Sequence, residues 1–201
     1  MTLKEIVNPV LNGLVLAGGK SKRMGFDKGT VNWHGKEQKY YMADMLKILC
    51  NEVFISCRKD QYNINSQYPE VLDTYTELGQ YGAILSAFKQ NPNGAWLVVA
   101  CDLPLLDLNT LQFLVSNRNP NKLATAFGNG FQGLPEPLIA IWEPKSYPAL
   151  LAFLEQGYTC PRKVLINSDV HLVDAPDTNV LTNVNTSEDF AKVKAILQTK
   201  Q

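Results

Sequence analysis

Four cationic side chains follow a pair of glycines and a short apolar run near the start of the chain. The run comprises residues 14–16, the glycines are Gly18 and Gly19, and the cations are Lys20, Lys22, Arg23 and Lys28. Glycines allow a backbone to approach an anion closely, and successive backbone N–H groups form a nest that binds it. Because the chain has a formal net charge of zero, the clustering is local. It predicts a phosphate-binding turn rather than a glycine turn with solvated cations.

The spacing of these glycines excludes two common phosphate loops. A Walker A loop needs another glycine five positions before Gly19, where the chain has Leu14. The dinucleotide fingerprint G-x-G-x-x-G fails because Gly18 and Gly19 are adjacent. A dinucleotide-dependent oxidoreductase is therefore disfavoured.

Two carboxylates stand where apolar runs end. Asp102 follows the apolar run 96–100, and Asp73 follows residues 70–72. A carboxylate held directly after a buried strand is rigid and partly desolvated, which suits Mg²⁺ bound through one carboxylate and substrate phosphates. Asp102 is therefore the leading candidate metal ligand, and the alternative is that it caps the following turn. Asp73 is a weaker candidate, since Asp-Thr after a strand is common turn chemistry.

Three further polar residues are candidates for contacting a substrate. Glu136 lies between two prolines and could orient a substrate or only shape a turn. Asn183 and Asn185 flank one valine, so in extended chain they could face a cleft together, or they could simply precede a helix. No serine lies in a G-x-S-x-G motif. The set favours phosphoryl or nucleotidyl transfer, in which the protein mainly positions substrates and stabilises charge.

The elements that must position these residues are short apolar runs alternating with amphipathic stretches. Strands are predicted at residues 13–16, 53–56, 70–72, 96–100, 123–126 and 137–142. Helices are predicted at residues 38–49, 83–89, 108–115, 145–155, 162–167 and 188–197. This order predicts a parallel sheet with helices on both faces, and ligands bind such sheets beyond the carboxyl ends of the strands. Asp107 or Asn109 is expected to cap the third helix and Ser187 the last, and residues 128–137 are predicted to form an active-site loop.

Composition limits the class of protein. A chain of 201 residues with 45% apolar and 19% charged residues predicts one globular domain over residues 1–201. Equal counts of acidic and basic residues disfavour nucleic-acid binding, and two histidines far apart in sequence disfavour a histidine-rich zinc site. The four cysteines form no C-x-x-C pair and are expected to be small buried hydrophobes in a reducing compartment. Residues 1–9 lack a signal-peptide pattern, and the longest apolar run, 95–101, is too short to span a bilayer. We expect a cytoplasmic protein.

Four segments resemble motifs of a known enzyme family. Residues 16–28 resemble L-A-G-G-x-S-x-R-M-G-x-D-K, which is found in the molybdenum cofactor guanylyltransferases (the MobA family) and related nucleotidyltransferases. Residues 101–104 resemble the family's C-D-x-P metal motif, residues 135–138 an E-P-L segment, and residues 183–186 the terminal N-x-N-T motif. The similarity extends over about residues 13–197. The chain departs from the family at residues 79–84, where G-Q-Y-G-A-I replaces G-P-L-A-G-I.

The resemblance implies a fold, two substrates, a cofactor and a set of site residues. The fold is a three-layer α/β/α, Rossmann-like, mostly parallel sheet of the nucleotide-diphospho-sugar transferase type. The substrates are GTP and molybdopterin, and the cofactor is Mg²⁺ held by Asp102. The implied nucleotide contacts are Leu16, Ala17, Gly18, Gly19, Lys28, Ser56, Asp73 and Asp102. The implied catalytic residues are Arg23, Lys28 and Asp102, and the implied acceptor contacts are Glu136, Asn183 and Asn185.

Several alternatives remain within this reading. The enzyme could use CTP, or it could transfer a nucleotide to a sugar phosphate or polyol phosphate. The altered stretch at residues 79–83 also leaves open a nucleotide-binding adaptor in cofactor assembly that performs no catalysis. Transient contact with cofactor-assembly proteins is expected, and binding to a nucleic acid or a membrane is not.

Overall fold

The structure is a computed structural model that describes residues 8–19, 28–128 and 133–199. Within these ranges the strands are β1 (Leu11–Leu16), β2 (Val53–Cys57), β3 (Glu70–Leu72), β4 (Ala95–Ala100), β5 (Ala124–Gly128), β6 (Pro135–Trp142) and β7 (Val170–Asp174). The helices are α1 (Gln38–Leu49), α2 (Gln80–Gln90), α3 (Leu108–Ser116), α4 (Ser146–Glu155), α5 (Pro161–Ile166) and α6 (Ser187–Thr199). Short 3₁₀ turns span Lys28–Thr30 and Thr178–Leu181. Among the described residues no helix is long and apolar enough to cross a bilayer.

The described strands form one mixed sheet in the order β3-β2-β1-β4-β6-β5-β7. All neighbours are parallel except that β6 is antiparallel to both β4 and β5. The prediction of a parallel sheet is therefore wrong for this strand, although the mostly parallel arrangement is confirmed. The cause is the short connection at residues 129–134, because a parallel crossover needs a dozen residues or more.

Alternate residues of the central strands pack against opposite helical layers. Leu14 and Leu16 of β1 belong to a core cluster that includes buried residues of α2, α4 and α5. Val15 belongs to a second cluster, which includes buried residues of α1 and α3. Successive strand side chains point to opposite faces of a sheet. The sheet is therefore the middle layer, and the expected three-layer α/β/α fold is confirmed.

One strand escaped the sequence analysis. β7 contains a histidine and ends in an aspartate, and its residues are half-buried or exposed, so it lacks the continuous apolar run of a central strand. It forms because β5 offers a parallel edge, with Ala124 opposite Val170 and Gly128 opposite Asp174.

Of the two expected helix caps, one is confirmed and the other is replaced by the preceding residue. Asp107 caps α3 by accepting a 2.8 Å hydrogen bond from the Thr110 backbone N–H. The last helix is capped by Thr186 rather than Ser187, because Thr186 Oγ1 accepts from the Asp189 N–H at 3.1 Å and Asp189 Oδ2 accepts from the Thr186 N–H at 2.9 Å. This reciprocal pair is a capping box.

The α2 helix begins at Gln80, three positions earlier than predicted, directly after Gly79 with φ +55°. Gly82, within this helix, is required by close backbone packing. A Cβ at that position would lie 2.2 Å from the Tyr75 carbonyl oxygen.

A buried ion pair closes the edge of the sheet at which β1 begins and β6 ends. Arg118 donates to both carboxylate oxygens of Glu143, at 2.7 and 2.9 Å, and also to the Pro9 carbonyl at 2.9 Å. Glu143 is 0% exposed. The pair joins the segment after α3 to the end of β6 and to the segment before β1.

Replacing Arg118 with Ala is expected to lower the free energy of unfolding by about 3–5 kcal/mol, because it leaves the Glu143 carboxylate buried without its cation. The double variant Arg118→Met/Glu143→Leu should lose less, since no buried charge remains unpaired. Chemical denaturation of both variants measures the difference. A single variant as stable as the double variant would contradict this prediction.

Candidate active site at the carboxyl edge of the sheet

A cavity of about 320 Å³ opens where β1, β2 and β4 end. Parallel pairing places Leu16 opposite both Ser56 and Ala100, so the segments that follow these three strands meet at one edge. All the residues implied as nucleotide contacts line this cavity, together with Asn185 and the start of α2. The rest of the predicted cationic turn, including Arg23, lies outside the described residues.

Asp102 is held at the cavity wall with one oxygen buried and unpartnered. Its side chain is only 15% exposed, and among the described residues Oδ1 has no hydrogen-bond partner. Its Oδ2 lies 3.7 Å from Lys28 Nζ. Burial raises the pKa of the Asp102 carboxyl above its ordinary value, while the nearby lysine opposes that rise. An unpaired buried carboxylate oxygen is costly unless a ligand or a cation completes it.

Lys28 connects the first turn to the C-terminal part of the chain. Its Nζ donates a 2.8 Å hydrogen bond to Asn185 Oδ1, and the same group faces Asp102. The Val184 N–H donates to the Asp102 carbonyl at 2.8 Å, which fixes the position of the next residue, Asn185. Asn183 and Asn185 are both exposed, and of the two it is Asn185 that lines the cavity.

Asp73 forms the wall opposite Asp102. Ser56 Oγ donates a 3.1 Å hydrogen bond to Asp73 Oδ1, and a Cβ on Gly18 would lie 2.7 Å from Asp73 Oδ2. The glycine therefore permits the close approach of turn and carboxyl group. Burial raises the pKa of Asp73 to about 6, against the lowering effects of the Ser56 hydrogen bond and the Arg58 charge.

Two residues at this edge were missed by the sequence analysis. Arg58 Nη1 donates to the Gly18 carbonyl at 2.5 Å, and Gln61 Nε2 donates to the Ala17 carbonyl at 3.5 Å. Arg58 directly follows the last residue of β2. The rule that drew attention to Asp73 and Asp102, namely position after a strand, would have found it. Gln61 carries no comparable signal.

Glu136 lies in β6 and is paired with a second arginine. Arg162 Nη2 donates to Glu136 Oε2 at 2.9 Å, and Arg162 Nε donates to the Pro135 carbonyl at 3.1 Å. Because β6 runs antiparallel to β4, its first residues lie at the edge where β4 ends. Glu136 therefore shares the edge with Asp102, outside the lining of the cavity.

The donor set suits a cation that is only partly ligated by protein. Among the described residues no cluster of three His, Cys, Asp or Glu side chains could hold a metal ion. A single rigid carboxylate with an unpartnered oxygen remains, at Asp102. Mg²⁺ is commonly held in this way, through one or two carboxylates with substrate phosphates and water.

The chain is similar in sequence and in fold to several known proteins. The chain is 32% identical over 191 residues to the molybdenum cofactor biosynthesis bifunctional protein of Synechocystis sp., covering 94% of this chain but only 55% of that protein. It is 30% identical over 200 residues to a probable molybdenum cofactor guanylyltransferase of Nostoc sp., covering 92% and 90% of the two chains. The crystal structure of molybdopterin-guanine dinucleotide biosynthesis protein A from Archaeoglobus fulgidus shares the fold, with a TM-score of 0.78, 20% identity and coverage of 94% and 99%.

A family match covers most of the sequence. Residues 13–172 match the family described as the MobA-like NTP transferase domain. This span begins within β1 and ends within β7. The match includes the glycine turn, Lys28, Asp73 and Asp102. The chain therefore belongs to the MobA-like NTP transferase family and is a nucleotidyltransferase.

Proposed function

We propose that this protein transfers GMP from GTP to the terminal phosphate of molybdopterin and releases pyrophosphate. The observation that carries the proposal is that the glycine turn, Lys28 and the largely buried side chain of Asp102 line one cavity together. Relatives that align over nine tenths of the chain are named as molybdenum cofactor guanylyltransferases, which supports this choice of substrates.

The reaction forms one bond and breaks one. A phosphate oxygen of molybdopterin attacks the α-phosphorus of GTP, and the bond from that phosphorus to the bridging oxygen breaks as pyrophosphate leaves with the electron pair. No general base is needed, because the attacking phosphate is already ionised. The protein's contribution is therefore to align the two phosphates and to stabilise negative charge.

The site residues divide this work between the two substrates, and one of them, Arg23, lies outside the described residues. Backbone N–H groups of the glycine turn would bind phosphate oxygens, and Lys28 would hold the α-phosphate. In this proposal Arg23 neutralises the charge that develops on the leaving pyrophosphate. Asn185, with Asn183 and Glu136 at the same edge, would contact the pterin.

A divalent cation, Mg²⁺, fits beside Asp102, whose unpartnered Oδ1 would be its protein ligand. When bound, it would supply positive charge to the phosphate oxygens. The pairing of Lys28 with Asp102 keeps the carboxyl group in place at the cavity wall.

The proposed function is tested by measuring pyrophosphate release from GTP with molybdopterin present, and from CTP under the same conditions. We expect release with GTP and little with CTP. Release with CTP alone would assign a sister activity. Nucleotide binding without any pyrophosphate release would contradict the proposal in favour of the adaptor.

Replacing Asp102 with Asn is expected to abolish metal-dependent turnover while the protein still folds, because the amide removes the negative charge in a group of nearly the same shape. Pyrophosphate release and circular dichroism measure the two properties. Asp169→Asn, at an exposed ion pair with Lys122, is the matched control and should keep full activity. Substantial turnover in the Asp102 variant would remove this residue from the metal site.

Replacing Lys28 with Ala is expected to cost about 2–4 kcal/mol of transition-state stabilisation, by analogy with the removal of one preorganised donor. The loss should appear in kcat/KM for GTP. If activity were nearly unchanged, the α-phosphate would have to be held by another group.

The raised pKa of Asp73 predicts a pH dependence of nucleotide binding. Only the ionised carboxyl accepts hydrogen bonds at both oxygens, so GTP affinity should fall as the pH is lowered through about 6. Well below that pH the fall approaches about tenfold per pH unit, because each binding event must release one proton. Calorimetric titration measures the GTP affinity of the wild-type protein and of Asp73→Asn at each pH. The ratio of the two affinities removes the effect of the protonation of GTP itself, which is the same for both proteins. If the ratio of the two GTP affinities stayed constant between about pH 5 and about pH 8, a nucleotide contact by ionised Asp73 would be refuted.

A further inference from the structure

We propose that Arg58 is a positioning residue that sets the direction of the N–H groups in the glycine turn and thereby the turn's affinity for anions. The inference rests on the proposed function in one respect, namely that the natural anion is a nucleoside triphosphate. No role for this side chain follows from the family motifs quoted above.

The turn is held from one side by the segment that follows β2. Arg58 Nη1 donates to the carbonyl of Gly18 at 2.5 Å, and Gln61 Nε2 donates to the carbonyl of Ala17 at 3.5 Å. Two successive carbonyls of the turn are thus bound by side chains only three positions apart in sequence. A further hydrogen bond lies within the segment that carries both side chains, because the Arg58 backbone N–H donates to Gln61 Oε1 at 3.2 Å.

Because the peptide group is planar, the hydrogen bonds to these two carbonyls also fix the direction of the N–H groups that follow them. In a planar trans peptide the carbonyl of one residue and the N–H of the next point in opposite directions. The N–H of Gly19 therefore points away from Arg58, and the N–H of Gly18 points away from Gln61. Both glycines line the cavity, and successive N–H groups turned to one side form an anion nest.

The guanidinium of Arg58 is itself fixed in orientation. Its Nε and Nη2 donate to the two oxygens of Asp60, each at 3.1 Å, which leaves Nη1 for the Gly18 carbonyl. Two parallel bonds to a carboxylate hold the guanidinium plane, and a lysine ammonium cannot reproduce that fork. Arg58 also opposes the burial-driven rise in the pKa of Asp73. The same cation therefore acts on both the Gly18 carbonyl and the Asp73 carboxyl group.

The test compares Arg58→Lys with wild type by calorimetric titration with GTP, inorganic pyrophosphate and guanosine. We expect GTP and pyrophosphate to bind about tenfold more weakly to the variant, as for the loss of one charge-assisted hydrogen bond, while guanosine affinity is unchanged. In steady-state assays KM for GTP should rise by a similar factor. Lys59→Gln removes an exposed charge one position along and should leave all three affinities unchanged.

Each alternative to positioning gives a different result. If Arg58 acted only as a positive charge, Arg58→Lys would bind pyrophosphate and GTP as wild type does, which would overturn the inference. An equal loss of guanosine affinity would also overturn it, because general damage to the cavity moves all three probes together.

A second variant decides the matter if Arg58→Lys does not fold. Asp60 is 70% exposed, so Asp60→Ala should fold, and it should weaken pyrophosphate binding in the same direction. Unchanged pyrophosphate affinity in that variant would overturn the inference. Wild-type protein that binds pyrophosphate but no guanine nucleotide would refute the proposed function instead, and the Arg58 comparison would still be made with pyrophosphate.

Discussion

The parallel pairing of β1 with β4 brings the chemistry of this protein to one place. Its register sets Leu16 beside Ala100, so the glycine turn and Asp102 emerge side by side at the carboxyl edge of the sheet. Because side chains alternate between faces, a slip of one residue would exchange the two core layers and turn the following carboxylate away from the cavity. The tightly buried central strands, packed by helices on both faces, hold that register.

The site places each of two cations near a different carboxyl group. Lys28 faces Asp102 in the cavity, and the charge of Arg58, which lies outside the lining of the cavity, acts on Asp73. Burial raises the pKa of both carboxyl groups, which means that each charged form costs free energy until a ligand completes it. Such groups cluster where a protein binds and transforms ligands. The stability of the fold comes chiefly from the two buried apolar clusters that pack the helices against the faces of the sheet.

Much of this arrangement could be predicted from sequence, for a physical reason. Buried strands of a mostly parallel sheet are continuous apolar runs, so their ends are visible, and residues such as Asp102 that follow them must lie at one edge. The direction of β6 and the existence of β7 depend on the length of a connection and on a free sheet edge, which local patterns do not encode. The position of Arg58 after β2 is visible in the sequence, but the choice of a distant backbone carbonyl by Arg58 or Gln61 leaves no trace in residue spacing.

The hydrogen bond from Lys28 to Asn185 joins residues 157 positions apart. Every described strand of the sheet precedes Asn185 in the sequence, because the last one, β7, ends at Asp174. Closing a long loop costs more conformational entropy than closing a short one, so this contact is expected to form late in folding, after the strands between the two residues have paired. The wall of the cavity that Asn185 lines would then be completed after the wall formed by the ends of the strands.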